Sequence, residues 1–259
     1  MHYLQVEVQN AVMTIHLNRP EVHNAFDELL IDEIKNCFLS VANRADVRVV
    51  VLRGHGKSFC AGADLNWMRK VSGYTYQQNL EESSNLSDCF HAIYTCPKPT
   101  IALVHGAAMG GANGLLASCD MAIADSSTVF SLSEVKIGLI PACISPYIIK
   151  KVGEGKAREL MLTGLRFGGD FAEKIGLINY SLSTDMLQTK LNELIDLLLN
   201  AGPKSIENCK ILIDNVVNHQ TLEESKIYTA QMIAQQRISA EGQEGMAAFL
   251  EKRKPNWAG

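Results

Sequence analysis

The chain has 259 residues, of which 47% are hydrophobic and 20% charged, and its formal net charge is −4. This balance is that of an ordinary globular protein, with enough residues to bury a large core. No apolar run approaches the roughly 20 residues that a membrane span requires, and the start lacks the pattern of a signal peptide. We therefore expect a cytoplasmic protein without a membrane partner. The acidic balance also disfavours nucleic acid as a partner, because phosphate binding depends on basic surface.

Seven cysteines, an odd number, are scattered along the chain without a CxxC pair. Several lie inside apolar runs, as buried thiols do, so we expect them to be reduced core residues. No HxxxH pair occurs either, so the spacing of possible ligands predicts no metal site.

Strand and helix patterns alternate in the first hundred residues. Tyr3–Val8 and Val12–Asn18 predict a β-hairpin, and Val47–Leu52, in which valines predominate, is typical of a buried strand. Asp27 is suited to cap a helix between these strands, because apolar residues follow it at helical spacing. A loop follows the buried strand, and a polar helix is predicted from about residue 75 to 96.

Further strands are predicted at Thr100–Val104, Met121–Ala124 and Val129–Leu132, and the chain beyond Pro141 has a helical pattern almost throughout. The dipeptide Gly202–Pro203 is the strongest internal boundary. The predicted fold class is therefore α/β, with a core over residues 1–202 and a helical region over residues 203–259.

Three segments rich in small residues or carrying a single carboxylate stand out: SFCAGADL (58–65), GAAMGGANGLLASCD (106–120) and FSLSEVKIGLIP (130–141). Taken singly, each is explained by tight turns or close packing. The phosphate-loop patterns of nucleotide-binding proteins are absent. Spacing alone leaves the function undecided.

Together with NRPEVHNAF (18–26) and EGQEGMAAFLEKRKPNW (241–257), these segments resemble the crotonase (enoyl-CoA hydratase/isomerase) superfamily in order and interval. The resemblance extends from about Leu17 to Trp257. It implies a spiral of ββα units with a helical C-terminal region that forms trimers or hexamers. It also implies an acyl-CoA substrate, in which CoA is part of the substrate, and no further cofactor.

The family's chemistry passes through an enolate, whose negative charge lies on the thioester oxygen. The resemblance assigns the stabilising backbone N–H groups to Ala63 and Gly111, and the acid–base carboxylate to Glu134. Removing one such donor typically costs about 3–4 kcal/mol of barrier.

The resemblance also implies a set of substrate-binding residues. His23 and Lys252 match positions near the CoA phosphates, and Lys252 matches one that often acts from a neighbouring subunit. The adenine and pantetheine path would be formed by Ala25, Ala61, Gly62, Asp64, Leu65 and Gly110.

One position departs from the best-known hydratases, which carry a second glutamate where this chain has Gly114. Asn113 cannot replace it, since one helical residue turns a side chain by roughly 100°. The segments 131–160 and 237–257 look like those of bacterial methylglutaconyl-CoA hydratases of leucine breakdown. That likeness implies hydration of 3-methylglutaconyl-CoA to 3-hydroxy-3-methylglutaryl-CoA, and we expect the space at Gly114 to admit the substrate's own carboxylate.

Four alternatives stay open. The motifs also fit a general enoyl-CoA hydratase. A single glutamate also resembles the Δ3,Δ2-enoyl-CoA isomerases, which only move a proton. Some relatives bind RNA, although this acidic chain lacks an aromatic and basic cluster. Gly114 would also suit a catalytically silent scaffold, which the retained Glu134 argues against.

Overall fold

The computed structural model describes residues 2–258. Its main sheet has six strands in the order β1-β2-β3-β4-β6-β9, antiparallel between β1 and β2 and parallel elsewhere. These strands are β1 (Leu4–Gln9), β2 (Val12–Leu17), β3 (Val49–Gly54), β4 (Thr100–Val104), β6 (Met121–Asp125) and β9 (Tyr180–Leu182). A smaller sheet has the order β5-β7-β8 and consists of β5 (Ala107–Met109), β7 (Val129–Ser131) and β8 (Arg166–Phe167).

Helices cover both faces of the main sheet and form the C-terminal region. They are α1 (Glu28–Val41), α2 (Leu65–Val71), α3 (Tyr76–Tyr94), α4 (Ala112–Ser118), α5 (Ser145–Thr163), α6 (Gly169–Lys174), α7 (Thr184–Asn200), α8 (Pro203–Asn218), α9 (Leu222–Ile238) and α10 (Ala240–Leu250). The predicted α/β class is therefore confirmed. Asp27 caps α1 as predicted, because its carboxylate accepts a hydrogen bond from the Leu30 amide at 2.9 Å.

Alternation along the parallel strands divides the buried side chains between two cores. In β3, Val50 and Leu52 belong to the core shared with α1, α3 and α4, whereas Val49 and Val51 face α7. Successive residues of a strand point to opposite faces of the sheet, so a continuous apolar run is required when both faces are covered. Five of the seven cysteines are buried as expected, but Cys143 is half-buried and Cys209 is exposed.

Two expectations about local structure are wrong. The stretch between the buried strand and the polar helix, for which only a loop was predicted, contains α2. The chain beyond Pro141 also contains the short strands β8 and β9. Each has only two or three residues, too few for a period-two pattern to be recognised.

The C-terminal helices α8–α10 present many large apolar side chains to solvent. Leu222, Ile238, Phe249 and Leu250 are all more than three-quarters exposed. Arg48 connects this region to the core by donating to the carbonyls of Ala201 and Trp257. No helix within residues 2–258 combines the length and the apolar character needed to cross a membrane.

Candidate active site

The structure brings the segments 58–65 and 106–111 together as paired extended chains. The Cys60 amide donates to Ala107 O at 3.1 Å, and Cys60 O accepts from the Met109 amide at 3.2 Å. Gly62 has φ +91, and a β-carbon there would lie 2.8 Å from Met109 O. Only glycine satisfies both the backbone angle and the close approach.

This pairing leaves two backbone N–H groups without an acceptor. Ala63 lies at a bridge to Phe26, and Gly111 lies immediately before α4. Among residues 2–258, neither the Ala63 amide nor the Gly111 amide donates a hydrogen bond. Unsatisfied amides of this kind can bind an anionic oxygen, and the helix start at Gly111 adds a favourable dipole.

Glu134 supplies a carboxylate beside the same turn. It begins a 3-10 helix, Glu134–Ile137, and its Oε1 lies 3.2 Å from the point where a β-carbon on Gly110 would stand. Its Oε2 is buried and has no hydrogen-bond partner within residues 2–258. Burial raises the pKa of Glu134 above its ordinary value. A carboxyl group with a raised pKa is a stronger base when ionised, and it can accept and return a proton.

Two aromatic side chains lie close to Gly111. A β-carbon on Gly111 would lie only 2.4 Å from Phe26 Cζ. Phe26 meets Trp67 of α2 edge to face, with ring centroids 5.8 Å apart. The indole N–H of Trp67 is buried and lacks an acceptor among the residues described.

The space expected at Gly114 is filled. A β-carbon on Gly114 would lie 2.3 Å from Ile144 Cγ2 and 2.8 Å from Phe90 Cε1. The expectation that a substrate carboxylate occupies this position is therefore wrong, because apolar side chains from α3 and the segment before α5 seal it.

The residues predicted to bind CoA lie mainly on one stretch of backbone. Ala61 donates its amide to His23 O at 3.0 Å, and Ala25 is buried beside them. His23 adopts the left-handed conformation with φ 54 and places Nδ1 3.3 Å from Ser58 Oγ. Leu65, at the start of α2, is 68% exposed.

Two of the residues predicted to bind the substrate, Asp64 and Lys252, lie in other surroundings. The Asp64 carboxylate accepts from the Asn66 amide at 2.8 Å and pairs with Arg19 at 3.1 Å. This capping and ion pairing fix the conformation of the loop at Asp64. Lys252 is exposed just after α10, and its ammonium group has no hydrogen-bond or ion-pair partner within residues 2–258.

Glu82 of α3 is a candidate that the motifs did not indicate. It lies on the same helix face as Leu86 and Phe90, at spacings of four and eight residues. Its Oε1 is buried without a partner in the described chain, and burial raises the pKa of Glu82. The spacing of Glu82 to Leu86 and Phe90 could have indicated that its side chain is buried. The many polar residues of α3 made that pattern hard to recognise.

Comparison with known proteins identifies relatives of this chain. A family model described as enoyl-CoA hydratase/isomerase matches residues 7–259. The enoyl-CoA hydratase AKT6-1 of Alternaria alternata is 33% identical, over 96% of this chain and 82% of that protein. A mitochondrial Delta(3,5)-Delta(2,4)-dienoyl-CoA isomerase of Dictyostelium discoideum is 30% identical, over 98% of this chain and 90% of that protein. The crystal structure of an enoyl-CoA hydratase from Shewanella pealeana superposes with a TM-score of 0.95 at 40% identity, covering 99% of this chain and 96% of that one. This superposition confirms the fold that the motifs predicted.

Proposed function

The chain belongs to the enoyl-CoA hydratase/isomerase family, and we propose that it hydrates 3-methylglutaconyl-CoA to 3-hydroxy-3-methylglutaryl-CoA, a reaction of leucine degradation. The observation that carries the proposal is one buried carboxylate, with a partnerless oxygen, beside two N–H groups that have no acceptor within residues 2–258. Resemblance of segments 131–160 and 237–257 to bacterial methylglutaconyl-CoA hydratases supports the choice of substrate.

In the proposed mechanism, Glu134 acts on one face of the substrate. Its carboxylate removes a proton from water as the water oxygen bonds to C3 of the enoyl group. The C2–C3 double bond shifts its electrons to the thioester, and the resulting enolate oxygen accepts hydrogen bonds from the Ala63 and Gly111 amides. The protonated Glu134 then returns the proton to C2. Fixed donors of this kind stabilise the enolate without reorganising during the reaction.

Glu82 is the residue that we propose to bind the distal carboxylate of the substrate. A helical rise of 1.5 Å per residue places it about 12 Å from Phe90 along α3, toward the helix N-terminus. Cys143 Sγ lies 3.6 Å from Ser83 O, so this part of α3 contacts the segment that leads into Ile144. Burial raises the pKa of Glu82, and its carboxyl group, when protonated, can donate a hydrogen bond to an anionic one.

A Δ3,Δ2-enoyl-CoA isomerase is the second candidate. The observation that favours it is the sealed position at Gly114, which leaves Glu134 as the single carboxylate at the two acid–base positions of the family. Moving a proton between C2 and C4 requires one base and no water.

Incubation with a panel of acyl-CoA thioesters in ¹⁸O-labelled water distinguishes these functions. The panel contains 3-methylglutaconyl-CoA, crotonyl-CoA and a 3-enoyl-CoA. The proposal predicts labelled 3-hydroxy-3-methylglutaryl-CoA as the main product, with kcat/KM well above that for crotonyl-CoA. Double-bond migration without uptake of label would support the isomerase instead.

We also propose that the protein forms a trimer or a hexamer. The exposed apolar side chains of α8–α10 would be buried between subunits, and Lys252 could then reach the CoA phosphates of a neighbouring subunit. Light scattering at micromolar concentration tests this, and a monodisperse monomer would contradict it.

A further inference from the structure

The side chain of Asn113 joins three backbone segments at the candidate site. It is fully buried in the first turn of α4, and its Nδ2 lies 3.1 Å from Ala108 O and 3.0 Å from both Gly110 O and Ser131 O. These carbonyls belong to β5, to the turn before α4, and to β7. One amide nitrogen therefore connects the turn that presents the Gly111 amide with the strand that leads to Glu134.

The oxygen of the same side-chain amide lowers the stability of the fold. Asn113 Oδ1 is buried and has no hydrogen-bond partner within residues 2–258. A buried acceptor without a donor destabilises a fold, and an apolar side chain of similar volume would avoid that cost. The contacts of Nδ2 must offset this cost, so the role of the asparagine lies in the carbonyls that its amide nitrogen connects.

The turn itself needs an external restraint. Gly110 and Gly111 have no side chains that could fix it, and Gly110 has φ +53. The Gly110 amide donates to Ser131 O at 2.8 Å, and Asn113 Nδ2 is the second donor to the same oxygen. Ser131 lies three residues before Glu134, so a shift of the turn relative to β7 would change the distance between the Gly111 amide and the Glu134 carboxyl group.

We propose that Asn113 is a positioning residue that holds the Gly111 amide in register with Glu134. The proposal rests on the proposed function, since it assumes that both groups act on one substrate. A misplacement of about 1 Å in such a pair can reduce the rate by about 100-fold. Asn113 touches no reacting atom in this account, and its effect is transmitted through Gly110 O and Ser131 O.

Asn113→Thr and Asn113→Val form a matched pair, because the two side chains have the same shape and differ by one hydroxyl donor. A helical threonine can donate to the carbonyl three residues earlier, which here is Gly110 O. Asn113→Thr thus retains one of the three contacts, and Asn113→Val retains none. Ser118→Ala is the control, because Ser118 is also buried in α4 and its hydroxyl lacks a partner in the described chain.

We expect kcat to fall about tenfold in Asn113→Thr and about 100-fold in Asn113→Val, with KM within about twofold of the wild-type value. Both variants should stay folded at the assay temperature, although Asn113→Val loses more hydrogen bonds than Asn113→Thr, and Ser118→Ala should keep the wild-type kcat. Wild-type kcat in a folded Asn113→Val variant would overturn the proposal. A fall in kcat that only matches the fraction of protein unfolded at the assay temperature would also overturn it, since it would indicate a purely structural role.

Binding measurements separate this proposal from the hydratase assignment. Acetoacetyl-CoA can bind as an enolate and depends on the two amides, whereas butyryl-CoA is a saturated thioester that forms no enolate at neutral pH. Asn113→Val should weaken the binding of acetoacetyl-CoA at least tenfold and leave that of butyryl-CoA within twofold. Equal effects on both ligands would contradict positioning. If Asn113→Val shows this difference in binding but the wild-type enzyme hydrates no enoyl-CoA, only the proposed function is contradicted.

Discussion

The Oε1 atom of Glu134 lies 3.2 Å from the point where a β-carbon on Gly110 would stand. The carboxyl group to which we assign acid–base chemistry therefore lies beside the space that a side chain at position 110 would enter. Because Gly110 also has φ +53, its replacement by alanine would both strain the backbone and displace Glu134.

We expect Gly110→Ala to lower kcat at least tenfold and to destabilise the protein by about 1–2 kcal/mol through the left-handed backbone. Gly153→Ala is the matched control, because Gly153 has φ +73 and no atom within 4 Å of an added β-carbon. It should be destabilised at least as strongly in urea unfolding, because φ +73 with ψ 164 is a conformation that only glycine adopts readily, and its kcat should be unchanged. Equal losses of kcat in the two variants would show that displacement of Glu134 is not the cause of the loss in Gly110→Ala.

Replacement of Gly114 by glutamate should not restore a second catalytic acid. Ile144 and Phe90 occupy the space that the side chain would enter, and overpacking alone typically costs about 1–3 kcal/mol. We expect Gly114→Glu to lower the urea midpoint strongly and to reduce the hydration of every enoyl-CoA substrate. A stable Gly114→Glu variant that hydrates crotonyl-CoA faster than the wild type would contradict this description of the pocket.

The elevated pKa of Glu134 links activity to stability. Since the folded pKa lies above the ordinary value of 4.5, the native state retains this proton when the unfolded chain has lost it. The associated stability is fully present below the unfolded pKa and is lost as the pH rises through the folded pKa. Glu134→Gln should therefore be more stable than the wild type at neutral pH, and the difference should close below about pH 4. Urea unfolding at both pH values tests this, and a variant less stable at neutral pH would contradict it.

Glu82 should determine discrimination between substrates. We expect Glu82→Ala to lower kcat/KM for 3-methylglutaconyl-CoA at least tenfold while changing that for crotonyl-CoA little. Glu82→Gln retains a donor and should preserve most of the preference. Glu81→Ala, which removes the exposed neighbouring carboxylate, is the control. An unchanged ratio of the two kcat/KM values in Glu82→Ala would contradict a role for Glu82 in binding the distal carboxylate.

The elements that could be predicted from the sequence are those with a long local signal. The strand predicted at Val47–Leu52 is observed at Val49–Gly54, the strand Thr100–Val104 has the predicted bounds, and Asp27 is followed by helical spacing. The motif resemblance also indicated that Gly111 and Glu134 belong to one site, and the structure places their segments side by side.

Contacts between distant residues could not be predicted in this way. Phe90 and Ile144 are 24 and 30 residues from Gly114 in sequence, and only the packing of α3 and α5 against α4 shows that they fill its space. The same holds for Asn113, whose bond to Ser131 spans 18 residues.

The most direct test of the account is turnover of 3-methylglutaconyl-CoA by Glu134→Gln. Loss of general acid–base catalysis typically costs 10²–10⁴-fold, and both proton transfers are assigned to this one carboxyl group. We predict a fall in kcat of at least about 100-fold. The affinity for butyryl-CoA should stay within about threefold of the wild-type value. A folded Glu134→Gln variant that keeps most of the wild-type kcat would contradict the central claim.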